Sequence, residues 1–202
     1  MTEILCLASG SPRRRELLQQ IGVPHVVRAA DVDETVRAHE APEDYVQRLA
    51  VTKARAVFDA QSAPRDTAGL RLPVLGADTS VVIDGRVLGK PADLAACRAM
   101  LRTLAGREHR VLSAVALVFE RGCEVRTSIS RVRFRPIDDV EITRYWHTGE
   151  PCDKAGGYAI QGLGAVFVEA LQGSYSGVMG LPIFETAQLL VAAGVPVWQS
   201  GA

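Results

Sequence analysis

The sequence predicts an α/β fold, formed by the whole chain 1–202 as a single domain or as one domain with two lobes. Apolar runs of strand length alternate with amphipathic helical segments, and the chain begins with a strand, a tight loop and a helix. Two long segments rich in Val, Ile and Thr follow one another in the second half and predict an antiparallel pair. A chain of 202 residues can bury one well-filled core and is too short to need more.

The opening segment 5–21, LCLASGSPRRRELLQQI, predicts an anion site. Residues 4–8 have the apolar character of a short buried strand, and residues 9–11 form a loop of small side chains. Pro12 suits the first position of a helix that Ser11 caps. A strand, a loop and a helix N-terminus in this order direct unpaired backbone N–H groups toward an anion.

Arg13, Arg14 and Arg15 occupy the first turn of this helix. Helix N-termini carry about half a positive charge, so each arginine there is disfavoured by roughly 0.3–1 kcal/mol unless a negative group compensates. Arg14 continues the core-facing stripe toward the mouth of the loop, and Arg13 lies beside it. A solvated basic helix end is the alternative interpretation, and the serines and glycine of the loop favour a phosphate chain.

A strand over 23–28 and an acidic loop over 29–37 follow. Such a charged loop is most often simply solvated. A phosphate site needs a divalent cation nearby, however, and the carboxylate of Asp33 or Glu34 can bind one through oxygen.

A long helix is predicted over 41–60, with Pro42 at its start and apolar residues along one side. Lys53 lies on that apolar side. Its ammonium either snorkels past the edge of the core or reaches into a cavity that requires positive charge. A polar connection over 61–72 comes next.

Residues 73–83, PVLGADTSVVI, predict a long strand with an aspartate inside it. Asp is disfavoured in strand interiors, and Gly76 and Ala77 leave room there for a ligand. Asp78 and Thr79 would place a carboxylate and a hydroxyl on a rigid scaffold, as a general base or metal ligand requires. The alternative is a strand-end aspartate satisfied by backbone N–H groups, and we favour the functional interpretation.

The chain then turns at 84–85 and returns through VLGKP, residues 87–91, which places Lys90 beside a flexible glycine. This segment is not a P-loop, because its glycine spacing is one residue short and Pro91 stands where a Ser or Thr must bind magnesium. A helix of structural character is predicted over 93–104.

The second half of the chain begins with two antiparallel strands over 109–120 and 124–134, joined around 121–122. A phase slip near Ser130 indicates a bulge. The later predicted elements are a helix over 138–146, a glycine-rich loop over 149–164, a strand over 165–171, a Gly/Ser loop over 173–182, a helix over 183–193 and a strand over 195–198.

Dense glycines mark the loop 149–164, GEPCDKAGGYAIQGLG. They bracket Glu150, Asp153, Lys154 and Gln161. Loops of this kind are either mobile connectors or walls that approach a ligand closely.

Composition argues against several classes of protein. The 23 basic and 23 acidic residues cancel, unlike those of a chain that coats nucleic acid or an anionic membrane. No apolar run approaches the roughly 20 residues of a membrane span, and the first residues lack a leader pattern, so we expect a cytoplasmic protein. The four cysteines and four histidines show no metal-ligand spacing, so we expect reduced thiols and no zinc site.

Together these signals predict a pocket for a polyphosphate and its metal ion. Arginines of the opening helix, Lys53 and Lys90 would supply positive charge, and Glu34 and Asp78 would supply carboxylates. A triphosphate carries about four negative charges, so its binding needs several cations and a metal. The reaction that fits is phosphoanhydride hydrolysis by water, with a carboxylate that accepts the proton. The sequence offers no Ser-His-Asp set and no dinucleotide fingerprint.

Six strings in order along the chain resemble the Maf family of nucleoside triphosphate pyrophosphatases: LASGSPRRRELL, EDYVQRLAVTKA, LGADTSVV, LGKP, GEPCDKAGGYAIQGLG and GSYSGVMGLP. The resemblance implies a mixed α/β fold around an elongated twisted sheet flanked by helices. It implies two lobes with a central cleft, related to the inosine triphosphate pyrophosphatases of the Maf/Ham1 type. It also implies cleavage between the α and β phosphates with Mg²⁺ or Mn²⁺, and a homodimer.

Carried over by position, the resemblance makes Asp78 the proton acceptor and gives Glu34 and Asp78 the cation. The substrate-binding residues that it implies are Ser9, Ser11, Arg13, Arg14, Lys53, Thr79, Lys90 and Gln161. Thr79 and Gln161 resemble the branch that acts on dTTP and UTP, whereas the 7-methyl-GTP branch tends to carry Gln and Glu there. A neutral amide can offer a donor and an acceptor to a pyrimidine edge, whereas a carboxylate suits the donors of guanine.

Two other functions stay open at this point. One is a 7-methyl-GTP pyrophosphatase, and the other is a nucleotide-binding regulator of cell division, since the family is also associated with inhibition of septum formation. In each case the expected partner is a nucleotide, not a nucleic acid or a membrane.

Overall fold

The computed structural model describes residues 4–61 and 71–198, and it contains a seven-stranded mixed sheet with helices on both faces. The strands are β1 (Leu5–Ala8), β2 (His25–Val27), β3 (Val74–Ile83), β4 (Arg86–Leu88), β5 (Glu108–Phe119), β6 (Gly122–Phe134) and β7 (Val168–Gln172). Their order is β2-β1-β3-β5-β6-β7, and β4 pairs with β3. β1 is parallel to β2 and β3, and the other pairings are antiparallel. The predicted mixed α/β fold is confirmed.

The helices, apart from α5, agree with the helical segments that the sequence predicted. They are α1 (Pro12–Gln20), α2 (Pro42–Asp59), α3 (Leu94–Leu104), α4 (Asp139–Trp146), α5 (Tyr175–Met179) and α6 (Ile183–Ala192). Asp93 caps α3, and Asp138 forms a capping box at α4. Ser11 and Pro12 take the predicted cap and first positions of α1, but Ser11 makes no side-chain capping bond, and its N–H donates to Ser9 Oγ at 3.2 Å.

Three groups of buried side chains form the core. Helix α2 covers one face of the sheet, with Val46 and Leu49 among the residues packed against β1, β3 and β5. On the other face, one core lies around Leu18 near α1 and α6, and a second lies around Leu101 and Phe134 near α3 and α4. Residues beside these two cores line one side of the cleft, and Lys53 of α2 lines it from the opposite face of the sheet.

The β5–β6 pair has no bulge near Ser130, since it keeps one unbroken register, and the register shift of β6 lies at Arg133/Phe134, where it pairs with β7. The phase slip has a different cause. Cys123 and Val125 pack toward α2, whereas Val132 and Phe134 point to the opposite face. The buried positions change parity because the strand leaves one covered face and enters the other. The connecting turn comprises residues 120–121, one position before the predicted turn.

The C-terminal segments differ from the prediction in three places. Residues 165–167 belong to a 3₁₀ turn, so the last strand starts at Val168, and the Gly/Ser loop 173–182 contains α5. Residues 195–198 form no strand within the described region, because the N–H of Val195 bonds to the carbonyl of Leu190 at the end of α6. The predicted connection 61–72 lies largely outside the described residues.

The sheet has a gap in its strand pairing along one edge of β3. One edge pairs with β5 over residues 74–82, whereas the other edge pairs with β1 only at 74–76 and with β4 only at 81–83. On that second edge, residues 77–80 have no strand partner in the described part of the chain. Asp78 therefore lies in a gap of the sheet. No helix within the described ranges has the length and hydropathy to cross a bilayer.

We predict that Gly76→Ala destabilises the protein by about 1–3 kcal/mol. An added methyl group would lie 2.2 Å from the carbonyl oxygen of Ala50 and 2.7 Å from the nitrogen of Ala54, so α2 would have to move off β3. Gly89→Ala is the control, because no described atom lies within 4 Å of its added methyl group. Urea unfolding of both variants measures the difference, and equal midpoints would contradict the close helix–strand contact.

Candidate active site

A cavity of about 390 Å³ lies at the gap in the sheet. Its walls come from the loop after β1, the first turn of α1, α2, β3 and the glycine-rich loop 149–164. All ten residues that the sequence predicted for the site line it, namely Ser9, Ser11, Arg13, Arg14, Glu34, Lys53, Asp78, Thr79, Lys90 and Gln161. The structure thus brings these residues together, and their individual roles stay predictions.

Lys53 joins the two carboxylates of the site. Its Nζ lies 2.7 Å from Asp78 Oδ1 and 2.6 Å from Glu34 Oε1. The side chains of Lys53 and Asp78 are 11% and 9% exposed, whereas that of Glu34 is half exposed. Lys53 therefore reaches into the cavity and does not snorkel to solvent, which decides between the two interpretations of this residue.

The charges of the site favour the ionised form of Glu34. Burial opposes its ionisation, but the hydrogen bond from Lys53 and the charges of Lys53, Lys90 and Arg14 outweigh burial and lower the pKa of Glu34. Burial and the nearby charges of Asp78 and Glu34 raise the pKa of Tyr45 to about 12. At neutral pH, Glu34 is thus a carboxylate and Tyr45 is a neutral hydrogen-bond donor.

Arg14 is the most deeply placed cation of the opening helix. Its Nε donates to the carbonyl of Gly180 at 2.8 Å, and its Nη1 donates to Ser9 Oγ at 3.2 Å. Burial lowers the pKa of Arg14, and the charges of Asp78 and Glu34 act against that effect. Both partners are neutral oxygens, so the charge of the guanidinium is left for an anion.

Thr79 faces away from Asp78, because successive side chains of a strand point to opposite faces. Its Oγ1 lies 2.9 Å from Ser113 Oγ and 3.4 Å from the carbonyl oxygen of Gly180. Both side chains still reach the cavity, since β3 crosses it at the gap. The two residues thus belong to opposite walls of the cleft.

Glu150 closes the glycine-rich loop 149–164. Its carboxylate accepts from Tyr145 Oη at 2.6 Å and from two backbone N–H groups of the same loop, those of Leu163 at 2.8 Å and Gly164 at 2.9 Å. The loop is also bonded to the segment that precedes Lys90 through Gly156 N and the carbonyl of Gly89 at 2.9 Å. These bonds favour the interpretation of this loop as a wall of the cleft.

The sequence-based site left out several contributors to the cavity, among them Asp153, Lys154, Tyr158 and the carbonyl of Gly180. Lys154 pairs with Asp153 at the cavity wall. Its place among dense glycines was a usable signal. A backbone carbonyl leaves no mark in a sequence, and a buried tyrosine cannot be told from an ordinary core residue.

Glu34 and Asp78 fit a divalent cation in one specific manner. Within the described residues, no group of three or more His, Cys, Asp or Glu side chains is placed to hold a metal ion. Mg²⁺ is commonly bound by one or two carboxylates and completes its shell with substrate phosphates and water. The two carboxylates therefore suit a cation that binds together with a phosphate chain.

A cleft that directs several cations and a carboxylate pair at a gap in a mixed sheet is a polyphosphate site of the hydrolase kind. The chain belongs to the Maf family: the family model described as "Maf-like protein" matches residues 4–193.

Relatives agree with this assignment, and a solved structure shares the fold. A dTTP/UTP pyrophosphatase of Hahella chejuensis is 53% identical over 96% of this chain and 94% of its own, and one of Alkalilimnicola ehrlichii is 56% identical over 91% and 90%. The Ham1 protein of Staphylococcus aureus matches in structure with a TM-score of 0.51 and 15% identity, over 94% of this chain and 96% of its own. The predicted Maf/Ham1 type of fold is confirmed.

A buried histidine lies behind Tyr158. His109 Nε2 is 2.8 Å from Tyr158 Oη, and the His109 ring packs edge-on against Phe134. Its Nδ1 has no hydrogen-bond partner within the described residues. Burial lowers the pKa of His109 from 6.5 to about 4.

We predict that the folded protein loses stability as the pH falls from 6.5 to about 4. In this window the unfolded chain binds a proton at His109 that the folded chain does not, so the free energy of unfolding decreases, by up to about 3 kcal/mol. Urea unfolding at stepped pH measures the slope. His109→Gln lacks this titration and should give a flatter profile, whereas equal slopes would show that His109 is not the titrating group.

Proposed function

We propose that this protein is a nucleoside triphosphate pyrophosphatase that hydrolyses dTTP and UTP to the monophosphate and pyrophosphate. The observation that carries the proposal is Lys53, whose buried ammonium bonds both Asp78 and Glu34 in a cleft lined by further cations. The names of relatives more than 50% identical to the chain support the substrate class.

The charge of the cavity supports a triphosphate ligand. Its described lining contains five cationic side chains against three carboxylates: Arg13, Arg14, Lys53, Lys90 and Lys154 against Glu34, Asp78 and Asp153. A triphosphate carries about four negative charges, which exceed this surplus. A divalent cation, Mg²⁺ or Mn²⁺, held by Glu34 and Asp78 would neutralise much of the remainder and polarise the phosphates.

Asp78 is the residue best placed to accept a proton from the attacking water. Its carboxylate is buried on a rigid strand, Lys53 fixes Oδ1, and Ser80 Oγ lies 3.4 Å from Oδ2. A general base held in this way needs little reorganisation when it takes the proton. Arg14 and Lys90 would orient the phosphate chain. They would also neutralise negative charge on the pyrophosphate as it leaves.

Gln161 would read the base. It is exposed at the wall of the cavity, on the loop that Glu150 closes. Its amide presents both a donor and an acceptor, which suits a pyrimidine edge. Thr79 Oγ1, on the opposite wall from Asp78, would restrict the base from the other side.

Location and assembly stay predictions. The four cysteines are free thiols, which supports a reducing, cytoplasmic setting. The balanced charge supports a nucleotide, not a nucleic acid or a membrane, as the partner. A homodimer is expected from the family resemblance alone.

We predict that Asp78→Asn lowers kcat for dTTP by roughly 100- to 10,000-fold, because the amide cannot accept the proton. Nucleotide binding, measured by calorimetry, should persist. Asp84→Asn, in the exposed turn after β3, is the matched control and should keep wild-type turnover. Full turnover by Asp78→Asn would refute the assigned base. A wild-type protein that binds triphosphates but hydrolyses none would instead favour the regulator of cell division.

We predict that Thr79→Gln combined with Gln161→Glu reduces kcat/KM for dTTP and UTP by about tenfold or more relative to 7-methyl-GTP. The carboxylate offers no donor to the pyrimidine edge and suits the donors of a guanine. A panel of these three nucleotides, each with Mg²⁺ or Mn²⁺, measures the change. Gln172→Glu on β7 adds the same charge outside the cavity and serves as control. An unchanged ratio would contradict the specificity assignment.

A further inference from the structure

The loop that carries Glu34 has almost no apolar anchor. Residues 28–41 connect β2 to α2 without a helix or strand, and residues 33–39 are all exposed. Burial of apolar surface therefore cannot fix this stretch, and an unanchored loop would sample many conformations. Directed polar contacts must hold Glu34 in the cleft.

Arg48, on α2, makes several of these contacts. Its guanidinium binds Glu40 in a bidentate pair, with Nε 2.5 Å from Oε1 and Nη2 2.7 Å from Oε2. Nη2 also donates to the carbonyl of Thr35 at 3.0 Å. Glu40 in turn accepts from the N–H of Arg37 at 3.0 Å. The side chains of Arg48 and Glu40 are only 17% and 8% exposed, so this pair is shielded from solvent screening.

Tyr45 supports the same loop one helical turn earlier. Its Oη donates to the carbonyl of Glu34 at 2.9 Å, and the Arg48 guanidinium lies 5.5 Å from the centre of the Tyr45 ring. Tyr45 and Arg48 thus hold two consecutive carbonyls, those of residues 34 and 35. With its backbone fixed in this way, Glu34 directs its carboxylate to Lys53, which lies on α2 like Tyr45 and Arg48.

We propose that Arg48 is a positioning residue for the hydrolysis: through Glu40 and the Thr35 carbonyl, it sets the position of Glu34 opposite Lys53 and Asp78. The proposal rests on the proposed function, since it concerns the carboxylate pair of the same site. Arg48 does not line the cavity and so acts only through the loop.

The first test is a double-mutant cycle on kcat for dTTP. Arg48→Ala should lower kcat by about 10- to 100-fold, because a misplaced Glu34 disturbs the geometry of the site. In the Glu34→Gln background, the same substitution should cost less than about twofold, because its target is already lost. The proposal would be overturned if the double variant lost kcat by the product of the two single losses. An unchanged kcat in Arg48→Ala would overturn it as well.

A matched control comes from another ion pair of α2, which Glu43 forms with Arg110 of β5. Arg110 Nη1 lies 2.6 Å from Glu43 Oε1 and bonds α2 to β5 instead of to the loop. Arg110→Ala should leave kcat near the wild-type value and show no coupling to Glu34→Gln. Coupling of equal size in both cycles would mean that any loosening of α2 has this effect, and would refute a specific role for Arg48.

The second test does not depend on activity. Hydrogen exchange of peptides covering residues 33–40 should accelerate in Arg48→Ala and stay unchanged in Arg110→Ala. If the wild-type protein hydrolyses no nucleoside triphosphate, the proposed function fails, and this comparison still decides whether Arg48 orders the loop. Equal exchange in wild type and Arg48→Ala would overturn the positioning role.

Discussion

The buried contact of Lys53 with Asp78 and Glu34 is the interaction on which the rest of the site depends. An ammonium and a carboxylate taken out of water are each costly, and removal of one partner leaves an uncompensated charge worth about 3–5 kcal/mol. The pair is tolerable only because α2 packs directly on β3, where Gly76 has no side chain to separate them. Packing and electrostatics thus both fix α2 against β3. The position of Lys53 relative to Asp78 is therefore set by the packing of the core.

The gap in the sheet explains why the chemistry lies where it does. Along one edge, strand β3 pairs first with β1 and then with β4. The unpaired stretch between them is the floor of the cleft. The parallel β1 ends there and delivers the loop and helix N-terminus that carry Ser9 and Arg14, while β4 delivers Lys90. The groups proposed to bind the phosphate chain therefore come from both sides of one discontinuity.

Much of this could be predicted from the sequence, because local signals carry it. Asp78 is a disfavoured residue inside a strand, and Lys53 interrupts an apolar helix face. Each of these anomalies indicates a buried charge that needs a partner. In the structure the two residues pair with each other. The errors arose where long-range packing decides. The slip near Ser130 reflects a strand that passes between two cores. The role of Arg48 has no local signal, since a helix arginine paired with a glutamate eight residues earlier looks like any surface pair. The extent of the domain and the binding of a divalent metal stay predictions.

Glu150 fastens the loop 149–164 near its two ends, through backbone N–H groups on one side and Tyr145 on the other. Between those fastenings, Tyr158 and Ile160 are buried in the core, whereas Gln161 is exposed. Position 161 can therefore change without loss of either fastening, so the proposed choice of nucleobase could vary independently of the residues proposed to bind phosphate.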